Sequence, residues 1–118
     1  VVHFRRQRLG DQLQVELAGL IQQELKDPRI GFVTVTEVRM SPDLKHARVY
    51  VSVFESEEEK RTASIAALQR AGGFLRRCLG RRLRLRYVPE LRFVEDDTLD
   101  RSARIEALLD SSDANDDE

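Results

Sequence analysis

The sequence predicts an α+β domain with the element order helix, strand, strand, helix, kink, helix, strand. Three observations predict it. Leucines recur every three or four residues from Leu9 to Leu25. β-Branched residues alternate with polar ones in two runs, Phe32 to Met40 and Leu44 to Phe54. Ala71-Gly72-Gly73 then interrupts a second helical region. A three-stranded sheet covered by helices on one face accommodates all of these elements.

The first helix is amphipathic, with Leu9, Leu13, Leu17, Leu20, Ile21 and Leu25 on one side and Gln12, Glu16, Gln23 and Glu24 on the other. Gly10 weakens it without ending it. Asp27-Pro28 ends it, because a residue before proline is pushed out of the α region. Phe32 to Met40 is the first strand and Ser41-Pro42-Asp43 the turn after it. In the second strand Ala47, Val49, Val51 and Val53 share the buried face, and the short connection makes the pair antiparallel. Acids from Glu55 to Glu59 lead into a helix through Ala63, Ile65, Ala67 and Leu68, where they complement its dipole. Phe74, Leu75, Cys78, Leu79 and Leu83 restart a helix beyond the kink. Gly80 inside it implies a packing reason. Leu83, Leu85 and Tyr87 alternate with arginines as the run into a strand, which Val88-Pro89 opens and Leu91 and Phe93 continue. The domain spans residues 1–99. A helical extension is expected over 100–110, and 111–118 is an acidic tail with too little apolar surface to order itself.

The 118 residues suffice for one domain, and the single cysteine, Cys78, excludes an internal disulfide. No apolar run reaches the roughly 20 residues of a membrane helix, and no signal-peptide core is present, so the expected location is the cytoplasm. The net charge of −1 averages two opposed halves. Arg70 to Arg92 holds eight arginines against Glu90, a local charge of +7. Glu95 to Glu118 holds ten acids against Arg101 and Arg104, a local charge of −8.

Guanidinium groups are permanently charged and match phosphate oxygens, so this density demands an anion on the scale of a nucleic-acid backbone. The candidate RNA-binding residues are Arg70, Arg76, Arg77, Arg81, Arg82, Arg84 and Arg86, on what reads as one cationic surface. Gly72 and Gly73 join them, because bare backbone lets a phosphate approach the next helix's free N–H groups. The bland readings are a solvated charged face and a glycine C-cap. Arg5, Arg6 and Arg8 form a basic arm, and with Lys45 and Arg48 near the strand turn they are secondary candidates.

The element order is that of a type II KH domain. D-P-R-I-G-F-V-T-V-T-E-V at Asp27 to Val38, S-P-D-L-K-H-A-R-V-Y-V-S-V at Ser41 to Val53, and V-P-E-L-R-F at Val88 to Phe93 together resemble the bacterial ribosome-binding factor A family. The resemblance covers about residues 5–99. It implies a KH-like protein that binds the small (30S) ribosomal subunit and promotes late maturation of its ribosomal RNA, notably in the cold. Its partners would be that subunit and its RNA, with a GTPase or other assembly factors beside them; apart from the resemblance, nothing in the sequence suggests more than a monomer. Family members carry an Ala-x-Gly kink where ordinary KH domains carry G-x-x-G, and Ala71-Gly72-Gly73 has that form.

No catalytic residue is expected, since His3 and His46 are the only histidines and no nucleophile–base spacing is legible. No metal and no cofactor are expected either. Asp96, Asp97 and Asp100 are the weak exception, a metal-dependent nuclease being the reading they would serve. The alternative from another class is a protein-interaction module that meets an acidic partner with its basic face or adds a strand to its sheet.

Overall fold

The structure, a computed structural model, describes residues 2–96. The expected helical extension and acidic tail lie outside these residues. The order is α1 (Val2–Glu24), β1 (Phe32–Met40), β2 (His46–Phe54), α2 (Glu58–Arg70), α3 (Gly72–Leu83) and β3 (Glu90–Glu95). The predicted α-β-β-α-kink-α-β order is therefore observed. The sheet runs β1-β2-β3, with β1 and β2 antiparallel and β3 parallel to β2.

One continuous helix, α1, takes in the basic arm and passes through Gly10. It stops at Glu24, a few residues before Asp27-Pro28. Leu13, Leu17, Leu20 and Ile21 are buried on the sheet. Gly10 is needed there, because a Cβ would lie 2.7 Å from the carbonyl oxygen of Val38.

The first strand breaks its own alternation, with Val33 and Val35 inward and then Val38 and Met40 inward. A β-bulge between Val35 and Glu37 absorbs the odd residue and keeps all four side chains in the core. Gln14 of α1 donates its Nε2 to the carbonyls of Val35 (3.4 Å) and Thr36 (3.2 Å), covering the outer edge of β1 at that bulge.

The other edge is held more completely. Gln69 of α2 donates Nε2 to Leu91 O and accepts the Phe93 N–H at Oε1, both at 2.9 Å, so its side-chain amide pairs with β3 as a strand would. Ser64, the one buried polar side chain of α2, accepts the Gly31 N–H at 3.2 Å and ties down the turn after Asp27. Within that turn Asp27 accepts the Arg29 backbone N–H and its guanidinium at 2.8–3.0 Å, which holds its pKa down at about 2.

The run from Leu83 to Tyr87 departs from the expected strand. Helix α3 continues to Leu83, and Arg84 then turns the chain in the left-handed region at φ 51°. Residues 85–89 are a loop leading to Pro89, which is buried just before β3. Gly80 has the expected packing reason: a Cβ there would lie 3.0 Å from a methyl of Val88. Cys78 is buried in the core. The open face of the sheet carries Phe32 and Phe54, exposed cross-strand partners.

Candidate nucleic-acid interface

The kink is a single residue. Ala71 closes α2, accepts the first backbone bond of α3 from Leu75 at 3.0 Å, and offers no side-chain cap. No acid stands in the first turn of α3, and among the described residues no side chain caps its positive end. The glycine C-cap reading fails, because neither Gly72 nor Gly73 has positive φ. A Cβ would also fit: the nearest atoms are Gln69 Nε2 at 3.8 Å from Gly72 and Arg77 Nη1 at 3.7 Å from Gly73. The fold has room for a methyl at both positions, but Gly72 is buried, so only the exposed Gly73 offers the bare backbone expected of the pair.

Arg70, Arg77, Arg81, Arg84 and Arg86 are exposed, and among the described residues none makes an ion pair. Arg77 folds its guanidinium beside Gly73, a cation at the positive end of a helix, which an incoming anion would stabilise. Arg76 is different. It is half-buried and donates Nε to Pro89 O (3.1 Å) and Nη2 to Val88 O (3.0 Å), strapping α3 to the loop before β3. Arg82 bridges to Glu16 of α1 at 3.2 Å. Both serve the fold, and Arg81 and Arg82 also complement the negative end of α3.

The arginines do not form the single surface expected. Arg92 lies across the sheet from α3, where strand register sets Arg39, Arg48 and Arg92 side by side on β1, β2 and β3. Like charges directly opposite one another are destabilising. Arg39 is partly offset by Glu37 at 3.2 Å and by the Tyr50 ring, whose centroid is 5.6 Å away. Arg48 and Arg92 have no carboxylate partner among the described residues. A groove of about 780 Å³ opens beside this row toward Thr62 and Gln69 of α2. Sequence spacing had no means of finding the row, because its members are far apart in the chain.

The secondary candidates divide as well. Arg5 joins Lys45 and Arg86 around one cavity at the foot of α1, whereas Arg6 faces Glu37 and Arg39. Arg8 is exposed on α1, and Arg48 belongs to the sheet row. Of the acids weighed as metal ligands, only Asp96 is a described residue. No group of three potential ligands occurs among the described residues.

The profile of the ribosome-binding factor A family matches residues 5–109. The chain belongs to the ribosome-binding factor A family. It is 54% identical over 112 residues to ribosome-binding factor A of Thioalkalivibrio sulfidiphilus, covering 95% of this chain and 86% of the relative. The crystal structure of the family member from Thermus thermophilus superposes with a TM-score of 0.67 at 41% identity, covering 76% of this chain and 94% of that one. A homology model of the Thermus thermophilus factor, fitted into a cryo-EM map of its complex with the 30S subunit, gives a TM-score of 0.64 at 40% identity. It covers 75% of this chain and 92% of that one. The match includes the strings that suggested the family and extends beyond residue 99, into the segment read from sequence as a helical extension. Among the described residues no helix is long and apolar enough to cross a membrane.

Proposed function

We propose that this chain binds the small (30S) ribosomal subunit in the cytoplasm and promotes late maturation of its ribosomal RNA, including in the cold. It acts as a monomer, by occupancy rather than turnover chemistry. Family membership and the 30S complex of the Thermus thermophilus factor support the reading. The observation that carries the RNA contact is the bare start of α3. Exposed Gly73, with Gly72 buried behind it, keeps side chains off an uncapped helix N-terminus where a methyl would fit, with the Arg77 guanidinium beside it. Phosphate oxygens satisfy those N–H groups and that cation together. Arg70, Arg81, Arg84 and Arg86 add phosphate contacts, which position the protein without reading sequence.

The experiment is co-sedimentation with purified 30S subunits and with 70S ribosomes, for the wild type and for a variant with Arg77, Arg81, Arg84 and Arg86 changed to Gln. Arg76 and Arg82 stay, because removing their contacts would confuse lost binding with lost fold. The wild type should travel with free 30S subunits. The variant should dissociate at lower salt, with the log–log salt slope reduced by roughly 0.7–0.9 per contact removed. A folded variant that sediments with 30S subunits as the wild type does refutes this interface.

A further inference from the structure

At the foot of the domain, three chain segments far apart in sequence enclose a cavity of about 470 Å³. They are the start of α1, the β1–β2 turn and the loop between α3 and β3. Its volume lies in the ~300–1,000 Å³ range of small-ligand sites. The wall is apolar, built from the half-buried side chains of Leu9, Leu44 and Leu85. Tyr87 stands at its mouth, 76% exposed, although burying such a ring against Leu85 would be favourable. Arg5, Lys45 and Arg86 approach from the three segments. The one acid of the lining, Asp43, is occupied locally: Oδ1 accepts the Ser41 hydroxyl at 2.6 Å and the Lys45 N–H at 3.0 Å.

A second observation marks the same place. Among the described residues two non-glycine residues have positive φ, Leu44 at 62° and Arg84 at 51°. Leu44 lines the cavity, and Arg84 is the hinge that swings Leu85, Arg86 and Tyr87 toward it. Left-handed backbone is unfavourable for residues with a Cβ, and it persists where the surroundings impose it, commonly at binding sites.

An apolar slot with an aromatic plane at its mouth and three cations around it matches one ligand chemistry: a flat heterocycle carrying phosphate. We propose that the cavity takes one unpaired nucleotide of the RNA, its base stacked on Tyr87 and its flanking phosphates held by Arg5, Lys45 and Arg86. The inference rests on the RNA-binding reading above and adds a specific contact to it. The kink grips backbone, whereas this pocket selects for a base that has left its helix. Duplex RNA alone would leave the slot unfilled, so the pocket favours bulged or looped RNA.

The test uses the full chain and two RNA hairpins identical except for a single bulged nucleotide in one. Wild-type protein should prefer the bulged hairpin. Tyr87→Ala should reduce that preference by about 5- to 150-fold, the range given by removing one stacked base. Tyr87→Phe, which keeps the ring, should retain it. Tyr87 is exposed, and the melting temperature of each variant should match the wild type. A bulged-to-plain affinity ratio unchanged in Tyr87→Ala overturns the pocket and leaves the RNA-binding reading standing. Failure of the wild type to bind either hairpin or 30S subunits overturns the parent reading, and the pocket with it.

Discussion

Replacing Gly73 by alanine should stabilise the fold and weaken RNA binding. Gly73 is a helical residue of α3 with ordinary negative φ, and a Cβ there meets nothing closer than the end of the flexible Arg77 side chain at 3.7 Å. Alanine outranks glycine in a helix by up to about 1 kcal/mol, chiefly by removing backbone freedom from the unfolded chain. For a domain of this size 1 kcal/mol raises the melting temperature by about 4–8 °C. The same methyl stands where a phosphate would approach the N–H groups of α3, so affinity for 30S subunits should fall. Gly10→Ala is the internal contrast. Its Cβ would be 2.7 Å from Val38 O, and reaching ordinary contact requires α1 and β1 to separate by about 0.7 Å. Overpacking of this kind costs about 1–3 kcal/mol, less the helix gain of up to about 1, so the melting temperature should not rise. Thermal denaturation followed by circular dichroism reads stability, and co-sedimentation reads binding. A Gly73→Ala protein that melts higher and binds 30S subunits unchanged would refute the assignment of the bare helix start to RNA. One that melts lower would refute the packing argument beneath it.

Gln69→Ala strips the outer edge of β3 of two hydrogen bonds and should cost about 1–3 kcal/mol, with increased light scattering on heating as the edge becomes available. Arg76→Gln should lower the melting temperature by more than Arg82→Gln does. Arg76 makes two charge-assisted bonds in a half-buried setting, while the exposed Arg82–Glu16 pair is worth about 0.2–1 kcal/mol. The Asp27 carboxyl should titrate by NMR with a midpoint near 2, below the roughly 3.9 of a free aspartate. A lowered folded pKa means its contribution is complete above about 4 and is lost as the pH falls through 2. Arg29→Ala should return the midpoint most of the way to the free value, because the Arg29 hydrogen bond is the largest cause, whereas Arg70→Gln should hardly move it.

The elements were legible because their signals are local. Leucine spacing along α1 and the Val/Thr alternation in β1 and β2 each need only a window of about ten residues. The one misread stretch, Leu83 to Tyr87, shows where such a window fails. Its Leu/Arg alternation has the period of a strand, yet the helix before it runs to Leu83 and ends on an arginine in the left-handed region. Glycine is the usual marker of that conformation. Here the nearby glycine, Gly80, sits a turn too early and is reserved for contact with Val88. The candidate site was legible as a concentration of charge and not as a surface. Counting arginines could not tell that Arg76 would turn inward to two carbonyls, that Arg82 would find Glu16, or that Arg92 would stand beyond the sheet with Arg39 and Arg48. Those outcomes depend on register and tertiary approach, which no local pattern contains.

The two glutamines bear on how the domain can meet anything at all. A sheet of three strands has two outer edges, and side-chain amides from the helices engage both: Gln14 at the bulge of β1 only, and Gln69 along β3. A partner strand adding to β3 would have to displace Gln69 and forfeit its hydrogen bonds before gaining its own, which counts against strand addition at that edge. One sheet face is filled by α1, α2 and α3. Besides the cavity at Tyr87, what remains for recognition is the bare start of α3 with the arginines about it and the Arg39, Arg48, Arg92 row on the open face. Both present fixed positive charge, so association through either should weaken as salt rises. An interaction with the 30S subunit indifferent to salt between 50 and 500 mM, as an approximate span, would mean that neither surface carries it.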